Sequence, residues 1–107
     1  MSNRPVEERT GQKSGLSTGA ACRVATICNR RGLHARAAAR FVKTAALFNA
    51  EVLVRKDGIE VSGRSIMGLM VLAAAPGTLI QLAATGPEAE AAVTALAKLV
   101  ECKFDED

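Results

Sequence analysis

Tryptophan and tyrosine are absent from this chain, and only three phenylalanines occur in its 107 residues. Proteins that grip single-stranded nucleic acid stack bases on aromatic platforms, and nothing here could build one. The same lack bears on the interior: aliphatic side chains and a large share of alanine must fill the core. Histidine occurs once, which excludes a His-rich metal site. The three cysteines, Cys22, Cys28 and Cys102, are odd in number, and the only near pair is six positions apart. Neither a disulfide framework nor a zinc cluster is indicated, and a reducing cytosol is the default compartment. The first thirty residues contain no apolar run of the kind a secretory signal requires. The longest apolar stretch, residues 66–75, is too short for a bilayer, which takes about 20 residues. Charge of a single sign is also lacking. The 14 basic and 11 acidic residues leave only +3, too balanced to read as a nucleic-acid footprint despite a pI near 9.0. These absences predict a cytoplasmic protein that neither enters a membrane nor binds nucleic acid, with no metal and no cofactor.

The length allows one domain. About half the residues are apolar, enough to form a core unaided. Residues 1–21 are rich in Gly, Ser, Thr and charge with no apolar period, and read as a disordered N-terminal tail. The domain proper then spans 22–107. Arg23–Cys28 is rich in β-branched residues and predicts a strand, and 29–32 a loop. From Ala35 to Phe48, apolar residues recur at spacings of three and four, which predicts a helix with Asn49 at its C-terminal end. Glu51–Arg55 alternates as a strand, Asp57-Gly58 supplies a hairpin turn, and Ile59–Val61 returns. Ser65 is placed to N-cap a short helix over Ile66–Val71. Thr78–Ala84 predicts another strand, and Gly86-Pro87 opens a last helix, with an acidic end at 105–107 that frays. The order βαββαβα implies an α+β domain: one sheet covered on one face by helices, with at least one antiparallel pair. Cys28 at a strand end and Cys102 in the last helix read as partly buried, with no thiol chemistry indicated.

The histidine lies in Gly32-Leu33-His34-Ala35-Arg36-Ala37-Ala38. A lone histidine is most often structural or merely exposed. This one falls at a strand-to-helix junction, where free backbone N–H groups and the helix dipole favour an anion. From Arg30 to Lys43 there are five basic residues and no acidic one: Arg30, Arg31, Arg36, Arg40 and Lys43. Such runs are usually solvated faces, but this one converges on a helix N-terminus. Together these features describe a site for a phosphoryl group. Neutral imidazole is a competent nucleophile near pH 7, and the forked, permanent charge of Arg36 suits phosphoryl oxygens. The same helix start would equally hold a passive anion, so these features alone leave carrier and binder open.

The Gly-Leu-His-Ala-Arg-Ala-Ala run resembles the active-site signature of the HPr family, the histidine-containing phosphocarriers of the bacterial phosphotransferase system. A second run, Gly63-Arg64-Ser65-Ile66-Met67-Gly68-Leu69-Met70, resembles that family's serine-phosphorylation segment, and the interval between the two fits as well. The resemblance covers about residues 22–103. It implies an open-faced β-sandwich: a four-stranded antiparallel sheet with three helices on one face. It implies that His34 takes a phosphoryl group on Nδ1 from enzyme I, itself charged by phosphoenolpyruvate, and passes it to a histidine of an EIIA-type protein. Arg36 matches the phosphate-stabilising arginine. Such a protein is a carrier with a phosphohistidine intermediate rather than a free-standing enzyme, and a monomer is expected. By the same resemblance, Ser65 is a regulatory site for an HPr kinase/phosphorylase. Ile66, Met67 and Met70 would face outward with Ala39 and Lys43 as a partner-docking surface, while Leu69 and Leu72 go to the core. A regulatory or nitrogen-branch relative, using phosphorylation to choose partners without sugar transport, is the alternative. Two departures stand out: Ala37 where the family commonly has proline, and Arg31 where many relatives carry a small polar side chain.

Overall fold

In the computed structural model, residues 20–105 are described. Four strands and three helices alternate as β1 (Ala20–Thr26), α1 (Ala35–Ala45), β2 (Glu51–Lys56), β3 (Ile59–Ser62), α2 (Ile66–Val71), β4 (Leu79–Thr85) and α3 (Ala89–Glu101), closed by a 3₁₀ turn at Lys103–Asp105. The strands form one sheet in the order β1-β4-β2-β3, and every neighbouring pair is antiparallel. This is the α+β sheet with three helices on one face that the residue pattern and the resemblance imply.

The alternation of each strand sets the two faces. Val52 and Val54 of β2, and Ile80, Leu82 and Ala84 of β4, are buried. The residues between them, Arg55, Leu79 and Gln81 among others, look to the open side. Helix α3 packs on β1 and β4, α1 packs on α3 and α2, and α2 lies against β3. With so few aromatics the core is aliphatic and alanine-rich: Ala37, Ala38 and Ala45 of α1 and Ala92, Ala97 and Leu96 of α3 belong to one buried cluster. Phe41 and Phe104 are the two fully buried rings. Leu69 and Leu72 are buried, as expected.

Several boundaries differ from the expectation, each for a visible reason. Strand β1 spans Ala20–Thr26, where the residue pattern placed a strand over 23–28. Ala20 and Ala21 pair with Thr85 and Ala84, completing a seven-residue ladder along the whole of β4. Alanine carries little strand preference, and the partner strand supplies what propensity does not. The remainder of the expected tail, residues 1–19, lies outside the described residues, as do 106 and 107. Helix α1 stops at Ala45 rather than Phe48. Leu47 N–H donates to Thr44 O and Phe48 N–H to Ala45 O, tighter bonds that close the helix in a turn. Asn49 does not cap α1. Its N–H donates to Glu88 Oε1 at 2.6 Å, and its carbonyl accepts Glu88 N–H at 3.1 Å, tying it to the N-cap of α3. Cys28 lies past the end of β1, Cys102 is the C-cap of α3, and both are exposed rather than partly buried. Asp57 and Gly58, both at positive φ, make the two-residue hairpin.

The C-terminus holds a feature with no sequence signal. Lys103, Phe104 and Asp105 all adopt left-handed backbone, with φ of 58°, 56° and 60°. For residues other than glycine this conformation costs about 1–2 kcal/mol each. Part of the compensation is Phe104, 1% exposed, in a turn that packs on α1 and α3. Burying such a ring contributes about 1.5–3 kcal/mol. The turn also sets Asp105 3.6 Å from Arg40 of α1.

Candidate functional site

The loop between β1 and α1 is held at three levels. At its base, Ile27 is fully buried; its N–H donates to Thr78 O, and its carbonyl accepts Gly77 N–H. In the middle, Asn29 is fully buried, and its Nδ2 donates to Gly32 O at 2.8 Å while Gly32 N–H returns to Asn29 O at 3.2 Å. At the top, Leu33 N–H donates to Ala74 O at 3.0 Å, and the Leu33 side chain enters the core. Gly32 sits at φ +67°, and a Cβ there would lie 2.5 Å from Ala74 O, so the approach admits only glycine. The segment leaving α2 thus clamps the loop one residue from His34.

His34 is the N-cap of α1, half-buried, with extended backbone (φ −80°, ψ 179°), and its side chain makes no capping hydrogen bond. Ala38 N–H donates to His34 O at 2.8 Å and opens the helical ladder. The N–H groups of Ala35, Arg36 and Ala37 therefore have no helical acceptor. No acidic residue stands in the first turn of α1, where the positive end of the helix dipole lies. Arg36 is exposed and has no carboxylate partner among the described residues. Ala37, at the position where proline is common in the family, is buried in the first turn and continues the helix; Arg31 is exposed. This junction can hold a tetrahedral oxyanion beside an imidazole.

Arg36 also lines a cleft of about 550 Å³ along α1, with Ala39, Arg40, Lys43, Leu47 and Leu99 on its walls. Leu47 is 75% exposed, an apolar tip in a basic surround. On α2, Met67 is 75% exposed, Met70 42% and Ile66 39%; Val71 also looks out. The residues expected to face a partner, Ala39, Lys43, Ile66, Met67 and Met70, are all at the surface, on two helices that pack together. Ser65 is the N-cap of α2, and its Oγ accepts Gly68 N–H at 2.8 Å.

Residue pattern alone missed Asn29, Leu47 and Val71. For Asn29 a weak signal existed, an Asn three positions before a turn glycine. For Leu47 a weak signal existed too, since it falls off the period of Ala38, Phe41, Ala45 and Phe48; for Val71 there was none, because it continues an apolar run that reads as core. Among the described residues, no group of His, Cys, Asp and Glu could hold a metal, and no helix is long and apolar enough to cross a membrane.

A family model described as the phosphorylation site of the phosphotransferase-system HPr component matches residues 21–102. The chain belongs to the HPr family. It is 49% identical over 80 residues to the phosphocarrier protein HPr of Neisseria meningitidis, covering 75% of this chain and 90% of that protein. The phosphocarrier protein NPr of Shewanella violacea is 42% identical over 84 residues, covering 78% and 92%. Among solved structures, HPr from Thermoanaerobacter tengcongensis superposes with a TM-score of 0.77 at 42% identity, covering 81% of this chain and 98% of that one. Membership of the HPr family carries the phosphocarrier role in the phosphotransferase system, and with it partners of the enzyme I and EIIA kinds in general.

Proposed function

We propose that His34 is the phosphorylated residue of this HPr-family protein. The observation that carries the reading is the position of the only histidine at the N-cap of α1, with Arg36 in the first helical turn. The step exchanges one phosphorus–nitrogen bond for another. Neutral His34 presents the Nδ1 lone pair to the phosphorus of phosphorylated enzyme I. The new bond forms as the bond to the enzyme I histidine breaks, and that bond's electron pair returns to the departing imidazole. Nε2 of His34 keeps its proton throughout. Charge spread over the three phosphoryl oxygens is met by the N–H groups of residues 35–37, the helix dipole and the Arg36 guanidinium. Transfer to a histidine of an EIIA-type protein repeats the step with His34 as donor.

Ile66, Met67 and Met70, with Ala39 and Lys43, form the docking surface in this reading. Methionine side chains repack readily, which suits a surface that meets more than one partner. Ser65 lies at the edge of that surface, and an HPr kinase/phosphorylase would place about −2 charge there. A phosphate at the start of α2 is electrostatically acceptable to the helix, so the effect falls on docking and not on folding. The similarity to an NPr as well as to HPr proteins favours keeping the regulatory, nitrogen-branch role as a second reading.

Incubation with phosphoenolpyruvate and enzyme I tests the proposal. The native protein should acquire an acid-labile, base-stable phosphoryl group, and His34→Ala should acquire none. Arg36→Lys should fold normally and accept phosphate more slowly, because a point charge does not reproduce the forked contact. Labelling of His34→Ala at the native level would overturn the assignment. Discharge by a sugar-specific EIIA, against discharge only by a nitrogen-branch EIIA, separates the two readings.

A further inference from the structure

We propose that Cys28 and Cys102 are a reversible intramolecular disulfide pair, a modification site that ties the start of the His34 loop to the C-terminal end of α3. The two residues are 74 positions apart in the chain, and the fold brings them together. The Cys28 thiol donates to Val100 O and to Glu101 O, each at 3.5 Å. A carbonyl oxygen lies within about 3 Å of the next Cα across a trans peptide, which puts the Cys102 Cα within about 6 Å of the Cys28 sulfur and, with the Cα–Cβ–Sγ span of Cys28 added, within about 9 Å of the Cys28 Cα. A disulfide joins Cα atoms about 4.4–6.8 Å apart, so closing this one asks for side-chain rotation and a movement of the C-cap by up to about 2 Å, not for refolding.

The two partners differ in how they are held. Cys28 stands between Ile27 and Asn29, both fully buried and bonded to their surroundings. Cys102 is the C-cap, beyond the last regular turn of α3, with φ −90° and ψ 18°. The adjustment therefore falls on Cys102. Both thiols are exposed, so an oxidant reaches either. Cys22, the third thiol, lies six residues from Cys28 along the chain, mostly within β1, about 20 Å at strand rise. It is out of range and serves as an internal control.

The oxidant is a small-molecule disulfide such as glutathione disulfide. The Cys102 thiolate attacks one of its sulfurs, forming a mixed disulfide and releasing one glutathione. The Cys28 thiolate then attacks the Cys102 sulfur and expels the second glutathione. Two protein thiols are oxidised, one disulfide is reduced to two thiols, and the two protons pass to the departing glutathione molecules. A disulfide of this kind in a reducing compartment is a transient redox response and not a structural staple.

The test treats the full-length protein with glutathione disulfide under native conditions and reads intact mass, thiol count and tryptic peptides. In Cys22→Ser, where no third thiol can take up glutathione, the expected product is a monomer lighter by two hydrogens, with its thiol count reduced from two to none. A dithiothreitol-sensitive species should join peptide 24–30 to peptide 99–103. Cys22→Ser should still form it, while Cys28→Ser and Cys102→Ser should not. Stable mixed glutathione adducts on Cys28 and Cys102 without loss of two hydrogens, or only cross-linked dimers, would overturn the proposal.

Discussion

Replacing Gly32 with alanine tests whether the clamp on the His34 loop controls both stability and transfer. Three costs can be read from the structure. The left-handed backbone at φ +67° penalises any Cβ by about 1–2 kcal/mol. The new Cβ would lie 2.5 Å from Ala74 O and 3.3 Å from Ala75 Cα, so the two segments must part by roughly 0.5–1 Å to reach ordinary contact. That parting strains the Leu33 N–H to Ala74 O bond, worth about 1 kcal/mol. Together the loss should be roughly 2–4 kcal/mol, measured by urea unfolding. Gly58→Ala is the control: its φ is +80°, but nothing lies within 4 Å of the new Cβ, so it should lose only about 1 kcal/mol. Transfer should respond as well. Gly32 O accepts both Asn29 Nδ2 and His34 N–H, so displacement of residue 32 moves the histidine. A misplacement approaching 1 Å should slow phosphorylation by enzyme I roughly 10- to 100-fold, while Gly58→Ala transfers at the native rate. If Gly32→Ala unfolds no more easily than Gly58→Ala and accepts phosphate as fast as the native chain, the clamp does not position His34.

Ser65→Ala should lose the bond to Gly68 N–H and about 1 kcal/mol of stability, while Ser65→Asp, another good N-cap, should melt within a few degrees of native. In enzyme I assays the order should reverse, Ser65→Asp accepting phosphate poorly and Ser65→Ala near the native rate; equal rates for all three would remove the regulatory role. Phe104→Ala should cost about 3–5 kcal/mol in chemical denaturation, since the buried ring holds a left-handed turn together; a loss under 1 kcal/mol would mean that the turn is held otherwise. Met67→Asp, at a 75% exposed position, should leave stability unchanged and weaken binding to enzyme I by calorimetry, and unchanged affinity would take Met67 out of the docking surface.

Most of the fold was legible in residue pattern because its signals are local. The start of α2 at Ile66 follows from a capping serine. The β2–β3 hairpin follows from Asp57-Gly58. The last helix follows Gly86-Pro87, and the junction of His34 with Arg36 is readable because both sit within one turn of a helix start. What local pattern could not supply was anything that depends on a distant partner. Strand β1 reaches back to Ala20 because β4 offers hydrogen bonds along its full length. Asn49 leaves the end of α1 because Glu88, 39 positions away, takes both its backbone groups. The left-handed turn at residues 103–105 exists only because α1 and α3 leave a place for Phe104. The approach of Cys28 to Cys102 is of the same kind. Helical and hairpin signals are written within a few residues, where steric and hydrogen-bonding preferences act. The closing of one segment on another is decided by packing across the whole domain, which no single stretch of sequence contains.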